Sequence, residues 1–172
     1  MVRQTFLENI KKGEKLEFLF SQALEKFEWI DKNYYVELLP NSGRYSGFNF
    51  DVLATSKDEN NPHYPNLAFD VKGVGGTPLR VYVKPFAGVT VNKQIRNAIS
   101  QGFIPFFAWP HRLITEKMCK HHKNWYFLYL KYNNWICYLR SYPSYDKMLK
   151  RGYPLKKLPE FARKYADYRS KR

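Results

Sequence analysis

Two acidic residues and a lysine stand inside two short apolar runs of this chain. Asp51 lies in the run 48–54 (FNFDVLA), and Asp70 and Lys72 lie in the run 67–73 (LAFDVKG). Burying an unpaired charge in a strand is costly, so these groups require partners. A metal ion is one such partner. Carboxylate oxygens such as those of Asp51 and Asp70 are the hard ligands that Mg²⁺ prefers.

Alternation along a strand predicts which of these side chains share a face. Asp70 and Lys72 should point to one face, about 6 to 7 Å apart along the chain, while Phe69 and Val71 point to the other. Taken alone, this spacing favours a polar face on a half-solvated sheet. When Asp51 and the order of helices and strands are included, a metal site is favoured instead, because the acidic residues and the predicted secondary structure then agree.

These residues resemble the motif of the PD-(D/E)XK nuclease superfamily. In that superfamily a first-strand Asp, and then an acidic residue, one residue and a Lys on the next strand, assemble a magnesium site. Asp51 and the segment Asp70-Val71-Lys72 match this order. The sequence departs from the pattern at Phe50, where the family name has Pro, and at Asp70, where Glu is commoner. Neither departure removes a ligand.

Two flanking segments extend the resemblance over about residues 10–110. The segment 13–17 (GEKLE) resembles the acidic first helix of the superfamily and of archaeal-type Holliday junction resolvases. The segment 91–95 (VNKQI) resembles the next helix, which often carries a polar residue near the site. Glu14 and Glu17 share much of one helix face, so periodicity does not choose between them, whereas the resemblance favours Glu17.

The resemblance implies a fold, a cofactor and a role for each residue. The expected fold is α/β, a restriction-endonuclease-like central mixed β-sheet flanked by helices in a single domain. Mg²⁺, with Mn²⁺ as a substitute, would be held by Asp51, Asp70 and the carbonyl of Val71, and Glu17 would tune the site or hold a second ion. Lys72 would position the attacking water or stabilise charge on the phosphate. Gln94 would orient water or a nucleic-acid strand.

Composition predicts one folded domain that associates with polyanions. The chain has 172 residues, of which 44% are hydrophobic and 18% aromatic. Such a length suits a single domain, here with a core at about 10–110 and a strand hairpin and basic helices at 111–172. The 29 Lys and Arg against 15 Asp and Glu give a net charge of +14, which favours nucleic acid over an acidic membrane surface as the partner.

The sequence also predicts the cellular compartment of the protein. It contains no apolar run long enough to cross a bilayer, and residues 1–13 lack the apolar core of a signal peptide. Cys119 and Cys137 are widely spaced, which is typical of reduced thiols rather than a disulfide. We therefore expect an intracellular protein, cytoplasmic or nucleoid-associated, with no membrane partner.

Hydrophobic periodicity predicts the elements that must position the candidate site. A short helix should start near Thr5 and be interrupted at Gly13, before a longer helix runs to about Trp29. A loop at 56–66 should precede the Asp70 strand and reach substrate. The remaining predictions are strands at 34–39, 48–54, 67–73, 80–84, 103–109, 125–132 and 135–140, a helix at 92–100 with Ile95 and Ile99 facing inward, and helices at 145–151 and 158–168.

Other polar residues have plainer interpretations beside the functional ones. Candidate phosphate contacts, each of which could instead be ordinary surface charge, are Arg80, Lys84, Lys93, Arg96, Lys120 and Lys123. A zinc site at His111, Cys119, His121 and His122 is disfavoured, because these residues do not form the paired motifs of structural zinc sites. Most Tyr and Trp residues alternate as in a packed sheet, which favours core packing over stacking on unpaired bases.

The sequence as a whole predicts a Mg²⁺-dependent endonuclease that hydrolyses phosphodiester bonds in DNA. Branched DNA of the Holliday junction type is a candidate substrate through the resolvase-like first helix, and such enzymes usually work as homodimers. A non-catalytic basic nucleic-acid-binding protein is the main alternative, and dependence on metal would distinguish the two. A nuclease acting on RNA is a third possibility, since no residue here discriminates a 2′-hydroxyl.

Overall fold

Among the residues that the structure describes, six strands form one mixed, open sheet whose spatial order follows the chain order. The computed structural model describes residues 2–40, 50–72, 87–110, 115–130 and 152–170. The strands are β1 (Tyr34–Leu38), β2 (Val52–Ser56), β3 (Asn66–Val71), β4 (Phe103–Pro110), β5 (Trp125–Tyr129) and β6 (Tyr153–Pro154). Strands β3 and β4 pair in parallel, and the other described neighbours pair antiparallel. The predicted α/β class is confirmed.

Helices flank this sheet. In the described part of the chain they are α1 (Val2–Glu25), α2 (Glu28–Asn33), α3 (Ala87–Ser100), the single turn α4 (Glu116–Cys119) and α5 (Leu158–Ser170). Helix α3 lies between β3 and β4 in the chain, which is the crossover that a parallel pair requires. Within the described residues, none of these helices is long and apolar enough to cross a membrane.

The main core lies between one face of the sheet and helices α1 and α5. Phe20 of α1 packs against Phe69 of β3 and Trp125 of β5, with ring centroids 5.2 and 4.7 Å apart. Phe161 of α5 packs against Phe106 of β4 at 5.6 Å. Complete burial of one such side chain stabilises the fold by about 1.5–3 kcal/mol, so this layer fixes the sheet against α1.

A smaller cluster covers the opposite face. It joins Phe50, Leu53 of β2 and Ala68 of β3 to Ala98 of α3. Asp70 follows Ala68 by two residues and so points to the same side as Ala68. Phe69 and Val71 belong instead to the main core. Strand β3 therefore turns Phe69 and Val71 toward α1 and Asp70 toward α3, as alternation predicts.

Several predicted boundaries are wrong. Gly13 does not interrupt α1, because a single glycine costs only about 1 kcal/mol in a helix that packing holds in place. The chain turns after Glu25 and forms the separate helix α2, rather than one helix to Trp29. Helix α3 begins at Ala87, before the predicted residue 92. Ile99 is 47% exposed rather than inward, and Ala98 occupies the buried position.

Other elements were not predicted or are not tested. Helix α4 and the short strand β6 had no periodic signal long enough to be recognised. The loop after β2 lies at the start of β3, the opposite end of that strand from Asp70. The predicted elements at 80–84, 135–140 and 145–151 and the turn at 41–44 lie outside the described residues.

Candidate active site

An ion pair marks the end of β3. The ammonium Nζ of Lys72 lies 2.7 Å from Oδ1 of Asp70, and 19% and 11% of the two side chains remain exposed. The ammonium also lies 5.5 Å from the ring centroid of Phe107, the residue opposite Asp70 in β4. The backbone N–H of Lys72 donates to the carbonyl of Ala108 at 2.8 Å, which continues the sheet past the end of β3. Asp70 and Lys72 therefore share one face.

Gln94 donates a hydrogen bond to the second carboxylate oxygen of Asp70. Its Nε2 donates to Oδ2 of Asp70 at 3.1 Å, and the glutamine side chain is buried. Ile95 and Ala98 are also buried on α3, so packing holds this helix against the sheet and fixes the glutamine over β3. Both carboxylate oxygens of Asp70 are thus engaged, one by an ammonium and one by an amide.

Asp51 is buried at a bend directly before β2. Its backbone still belongs to the sheet, because its N–H donates to Phe69 O at 2.9 Å and its carbonyl accepts from Leu39 N at 2.8 Å. Its side-chain Oδ2 accepts from the N–H of Val71 at 2.7 Å. This bond holds the Asp51 carboxylate beside the strand segment that carries Asp70 and Lys72. Val71 thus takes part through its N–H, and ligation by its carbonyl stays a prediction.

Glu17 reaches this cluster from α1. Burial raises the pKa of Glu17, a hydrogen bond with Asp51 acts in the opposite direction, and the negative charges of Asp70 and Glu14 raise it further, against the lowering effect of Lys72. Glu14 is exposed, whereas Glu17 is half-buried. Of the two candidates on this helix, Glu17 is therefore the one that contacts the other site residues.

The net charge of this cluster favours binding of a hard metal cation. Glu17, Asp51 and Asp70 against the single ammonium of Lys72 leave an excess of two negative charges when all four groups are ionised. The chain as a whole has a net charge of +14, so this negative excess is confined to the site. A donor set made of carboxylate oxygens fits Mg²⁺.

The same oxygens are already in use within the protein. Among the described residues, no three His, Cys, Asp or Glu side chains are grouped so that they could hold an ion as they stand. A carboxylate oxygen has more than one lone pair, so an oxygen that accepts one hydrogen bond can still ligate a metal. Binding an ion at Asp70 would require a small displacement of Lys72 or Gln94.

The predicted nucleic-acid contacts divide into two exposed groups. Lys93 and Arg96 flank Gln94 on α3, so they lie on the helix that covers the site. Lys120 and Lys123 lie between α4 and β5. Arg80 and Lys84 lie outside the described residues.

Two of the four residues disfavoured as a zinc site, Cys119 and His122, pack against other side chains. His122 stacks on Phe27 with ring centroids 4.3 Å apart. Burial lowers the pKa of His122 and raises that of the Cys119 thiol. His111 lies outside the described residues. These contacts are those of core packing.

The sequence did not predict that aromatic side chains of β4 lie beside the charged residues of the site. Phe107 and Trp109 lie on the same sheet face as Asp70, but they stand in the run 103–110, where nearly every residue is apolar. A run in which nearly every residue is apolar shows no alternation. Only the register of β3 with β4 therefore identifies the aromatic side chains that lie on the same face as Asp70 and Lys72.

No family model, no curated protein and no solved structure shows significant similarity to this chain.

Proposed function

We propose that this chain is a Mg²⁺-dependent endonuclease that hydrolyses phosphodiester bonds in DNA, with Asp51, Asp70 and Lys72 at its centre. One observation carries the proposal. The 2.7 Å pair of Lys72 with Asp70 lies in a largely buried site beside two further carboxylates. Acidic residues that are buried together with shifted pKa values are candidates for function, because a ligand such as a metal ion can neutralise their charge.

The ion would be held by Asp51, Asp70 and the carbonyl of Val71. When bound, Mg²⁺ supplies charge neutralisation on the phosphate and a more acidic water. Lys72 places its ammonium beside the reacting phosphate, where it orients the attacking water or stabilises the negative charge that develops. Gln94 keeps the Asp70 carboxylate in one orientation through its 3.1 Å bond.

Glu17 has a distinct role in this proposal. Its raised pKa means that it keeps a proton to higher pH than a solvent-exposed glutamate does. The same burial and the negative charges of Asp70 and Glu14 that raise the pKa of Glu17 make its ionised form costly without a cation nearby. If an ion were bound, the ionised carboxylate of Glu17 would offer a further oxygen to it or to a second ion.

The basic surface supplies affinity for the polyanion. Lys93 and Arg96 are exposed on the same helix as Gln94, so phosphates bound there would lie on the outer side of the helix that covers the site. Such contacts carry no sequence information. Branched DNA and a homodimeric enzyme are further parts of the proposal, and they rest on the likeness of the first helix to that of Holliday junction resolvases.

A non-catalytic nucleic-acid-binding protein is the second candidate. The observation in its favour is that both oxygens of Asp70 are satisfied by Lys72 and Gln94. In that case the ion pair would be a structural element of the sheet, and the +14 charge alone would account for binding.

Cleavage assays separate these candidates. Purified protein is incubated with supercoiled plasmid, single-stranded DNA, a four-way junction and RNA, with Mg²⁺ or with EDTA. Asp70→Asn keeps the shape of the side chain but removes its charge, and Asp58→Asn in the exposed loop after β2 is the matched control. We expect cleavage only with Mg²⁺, a loss of roughly a hundredfold or more in Asp70→Asn, and full activity in Asp58→Asn.

Two results would change the conclusion. Equal background cleavage with EDTA and in Asp70→Asn, while DNA binding persists, would favour the binding protein. Cleavage confined to RNA would keep the chemistry and replace the substrate.

A further inference from the structure

A cavity of about 410 Å³ lies where the loop that leads into β3 meets helices α2 and α5. Asp70 stands near the far end of that strand, so this cavity is separate from the charged cluster. Its volume is within the range of about 300–1,000 Å³ that is typical of sites for small molecules. It is lined by Trp29, Asn61, His63, Tyr64, Pro159 and Arg163.

Two aromatic side chains give this cavity an apolar wall. The ring centroids of Trp29 and Tyr64 lie 6.3 Å apart. Tyr34 contacts both rings, with centroids 5.0 Å from Trp29 and 6.2 Å from Tyr64, and is itself 3% exposed, so it supports them from the core. Trp29 and Tyr64 are only partly buried. Such rings can stack on a nucleobase whatever its sequence, because every base has a π face.

A cation without a protein partner lies on the same cavity. Arg163 is exposed on α5, and the nearest acidic residue of this helix in sequence, Glu160, pairs with Lys157 at 3.5 Å and with Lys164 at 3.3 Å. Within the part of the chain that the structure describes, Arg163 forms no ion pair with a carboxylate. Its guanidinium can therefore pair with a phosphate, whose geometry it matches.

An oriented amide supplies a hydrogen-bond donor. Oδ1 of Asn61 accepts from the backbone N–H of His63 at 3.0 Å, which fixes the direction of the amide. Nδ2 of Asn61 donates to no group among the described residues, so it remains able to donate to a ring nitrogen or carbonyl oxygen of a base.

Charge distinguishes this cavity from its neighbour. A second cavity, of about 530 Å³, shares Asn61 and Tyr64 with it, but the charged residue in its lining is Glu59. A carboxylate repels a phosphate. An anionic ligand is therefore favoured on the side of Arg163.

We propose that this cavity binds one unpaired nucleotide, with its base against Trp29 and Tyr64 and its phosphate at Arg163. The aromatic wall, the amide of Asn61 and the guanidinium match the face of the base, its polar edge and the phosphate. A free mononucleotide and a single strand both offer this chemistry, whereas duplex DNA keeps its bases stacked and paired. The inference goes beyond the proposed nuclease activity, because none of the lining residues belongs to the charged cluster.

Quenching of tryptophan fluorescence by deoxyadenosine monophosphate (dAMP) tests this proposal. The whole chain is titrated in EDTA, so that binding is measured apart from any cleavage. A base stacked on Trp29 should quench a saturable part of the emission of the four tryptophans, and Trp29→Phe should lose most of this quenching. Inorganic phosphate alone should not quench. Absence of saturable quenching by both dAMP and a single-stranded oligonucleotide would overturn the proposal.

Arg163→Gln isolates the phosphate contact. It should weaken dAMP binding roughly tenfold, because a hydrogen-bonded ion pair is lost, and leave the weaker binding of deoxyadenosine, which has no phosphate, unchanged. Lys164→Gln is the matched control, since Lys164 is the next residue of the same helix, equally exposed, and does not line the cavity. Equal losses of dAMP affinity in the two variants would mean that general positive charge attracts the nucleotide, and the proposal would fail.

A single-stranded oligonucleotide and the duplex that it forms with its complement separate the sources of the nucleotide. We expect the single strand to quench at lower concentration than dAMP, because its other phosphates meet the basic surface, and the duplex not to quench. Quenching by dAMP but not by the single strand would support the site and identify a free nucleotide as its ligand. Equal quenching by duplex and single strand would contradict binding of an unpaired base.

This site and the nuclease fail in different ways. If the native protein cleaves no substrate but dAMP quenches it and Arg163→Gln weakens that binding, the catalytic proposal fails and the nucleotide site stands. If the native protein cleaves DNA and neither dAMP nor the single strand quenches its fluorescence, the nuclease stands and the nucleotide site fails.

Discussion

Replacing Lys72 with methionine tests the ion pair on which the proposed site depends. Methionine keeps most of the aliphatic length of lysine and can still pack against Phe107, but it removes the ammonium 2.7 Å from Asp70 Oδ1. Asp70 is then left with Gln94 as its described side-chain donor, in a largely buried position.

The size of the effect follows from distance and burial. Two unit charges 2.7 Å apart attract by about 6 kcal/mol at an effective dielectric constant of about 20. Most of this attraction is cancelled, because both groups lose hydration when they are buried. Removing one partner of a buried pair costs about 3–5 kcal/mol, because the other charge stays buried. Since 19% and 11% of the side chains remain exposed, we expect about 3 kcal/mol. For a domain of this size that lowers the melting temperature by roughly 6–12 °C.

Urea denaturation of three variants in EDTA measures this effect. Lys72→Met should unfold at a lower urea concentration than the native protein, and the double variant Asp70→Asn/Lys72→Met should recover most of the loss, because no charge is left unpaired. Lys32→Met is the matched control. Lys32 pairs with Glu28 at 2.6 Å, but 67% and 78% of these side chains are exposed, so its loss should hardly move the midpoint.

Two outcomes would refute this reasoning. Lys72→Met could unfold at the same midpoint as the native protein, which would mean that the pair does not form in solution. Alternatively, the single and double variants could be equally unstable, which would assign the loss to the packing of Lys72 on Phe107 rather than to a stranded charge.

Three further predictions concern the groups around the pair. Glu17→Gln should stabilise the metal-free protein at the higher pH values. The raised pKa of Glu17 provides stability that is fully present below its ordinary value of 4.5 and is lost as pH rises through the raised value. In urea melts the variant's advantage should therefore be absent below pH 4.5 and grow as the pH rises above it. An advantage that shrinks with pH would contradict this. Gln94→Leu should destabilise the fold by about 1–3 kcal/mol and slow cleavage, because an oxygen of Asp70 loses its donor, whereas the exposed Gln101→Leu should do neither. Lys93→Ala/Arg96→Ala should weaken DNA binding and reduce the salt slope of log K by about 2, whereas Lys156→Ala, exposed near α5, should leave the slope unchanged.

The sequence predicts the elements of this fold where a period is long or where charge interrupts an apolar run. Strands β1, β3 and β4 lie close to their predicted ranges, because their β-branched and aromatic residues stand between polar loops. The alternation of Phe69, Asp70, Val71 and Lys72 is observed because one face of β3 meets α1. Gly13 misled the prediction, since the tertiary contacts that hold α1 outweigh a local propensity.

The site is harder to predict than the strands. Periodicity alone leaves Glu14 and Glu17 equivalent, and only the packing of α1 on the sheet turns Glu17 toward Asp51. Trp109 has no sequence signal, because its position on the same sheet face as Asp70 depends on the register between two strands separated by α3. Hydrogen bonds such as that from Gln94 to Asp70 join residues that are distant in the chain, and single-sequence patterns carry no information on them.

The parallel pairing of β3 with β4 has a consequence for how the protein matures. The hairpin of β1 and β2 and its pairing with β3 can form from a continuous stretch of chain, but Asp70 meets Gln94 only after the crossover through α3 has closed. Non-local contacts of this kind form slowly, because chain entropy is lost before the contact is gained. A nascent chain should therefore form its first strands well before Asp70 meets Gln94, so the proposed site would be completed only late in folding.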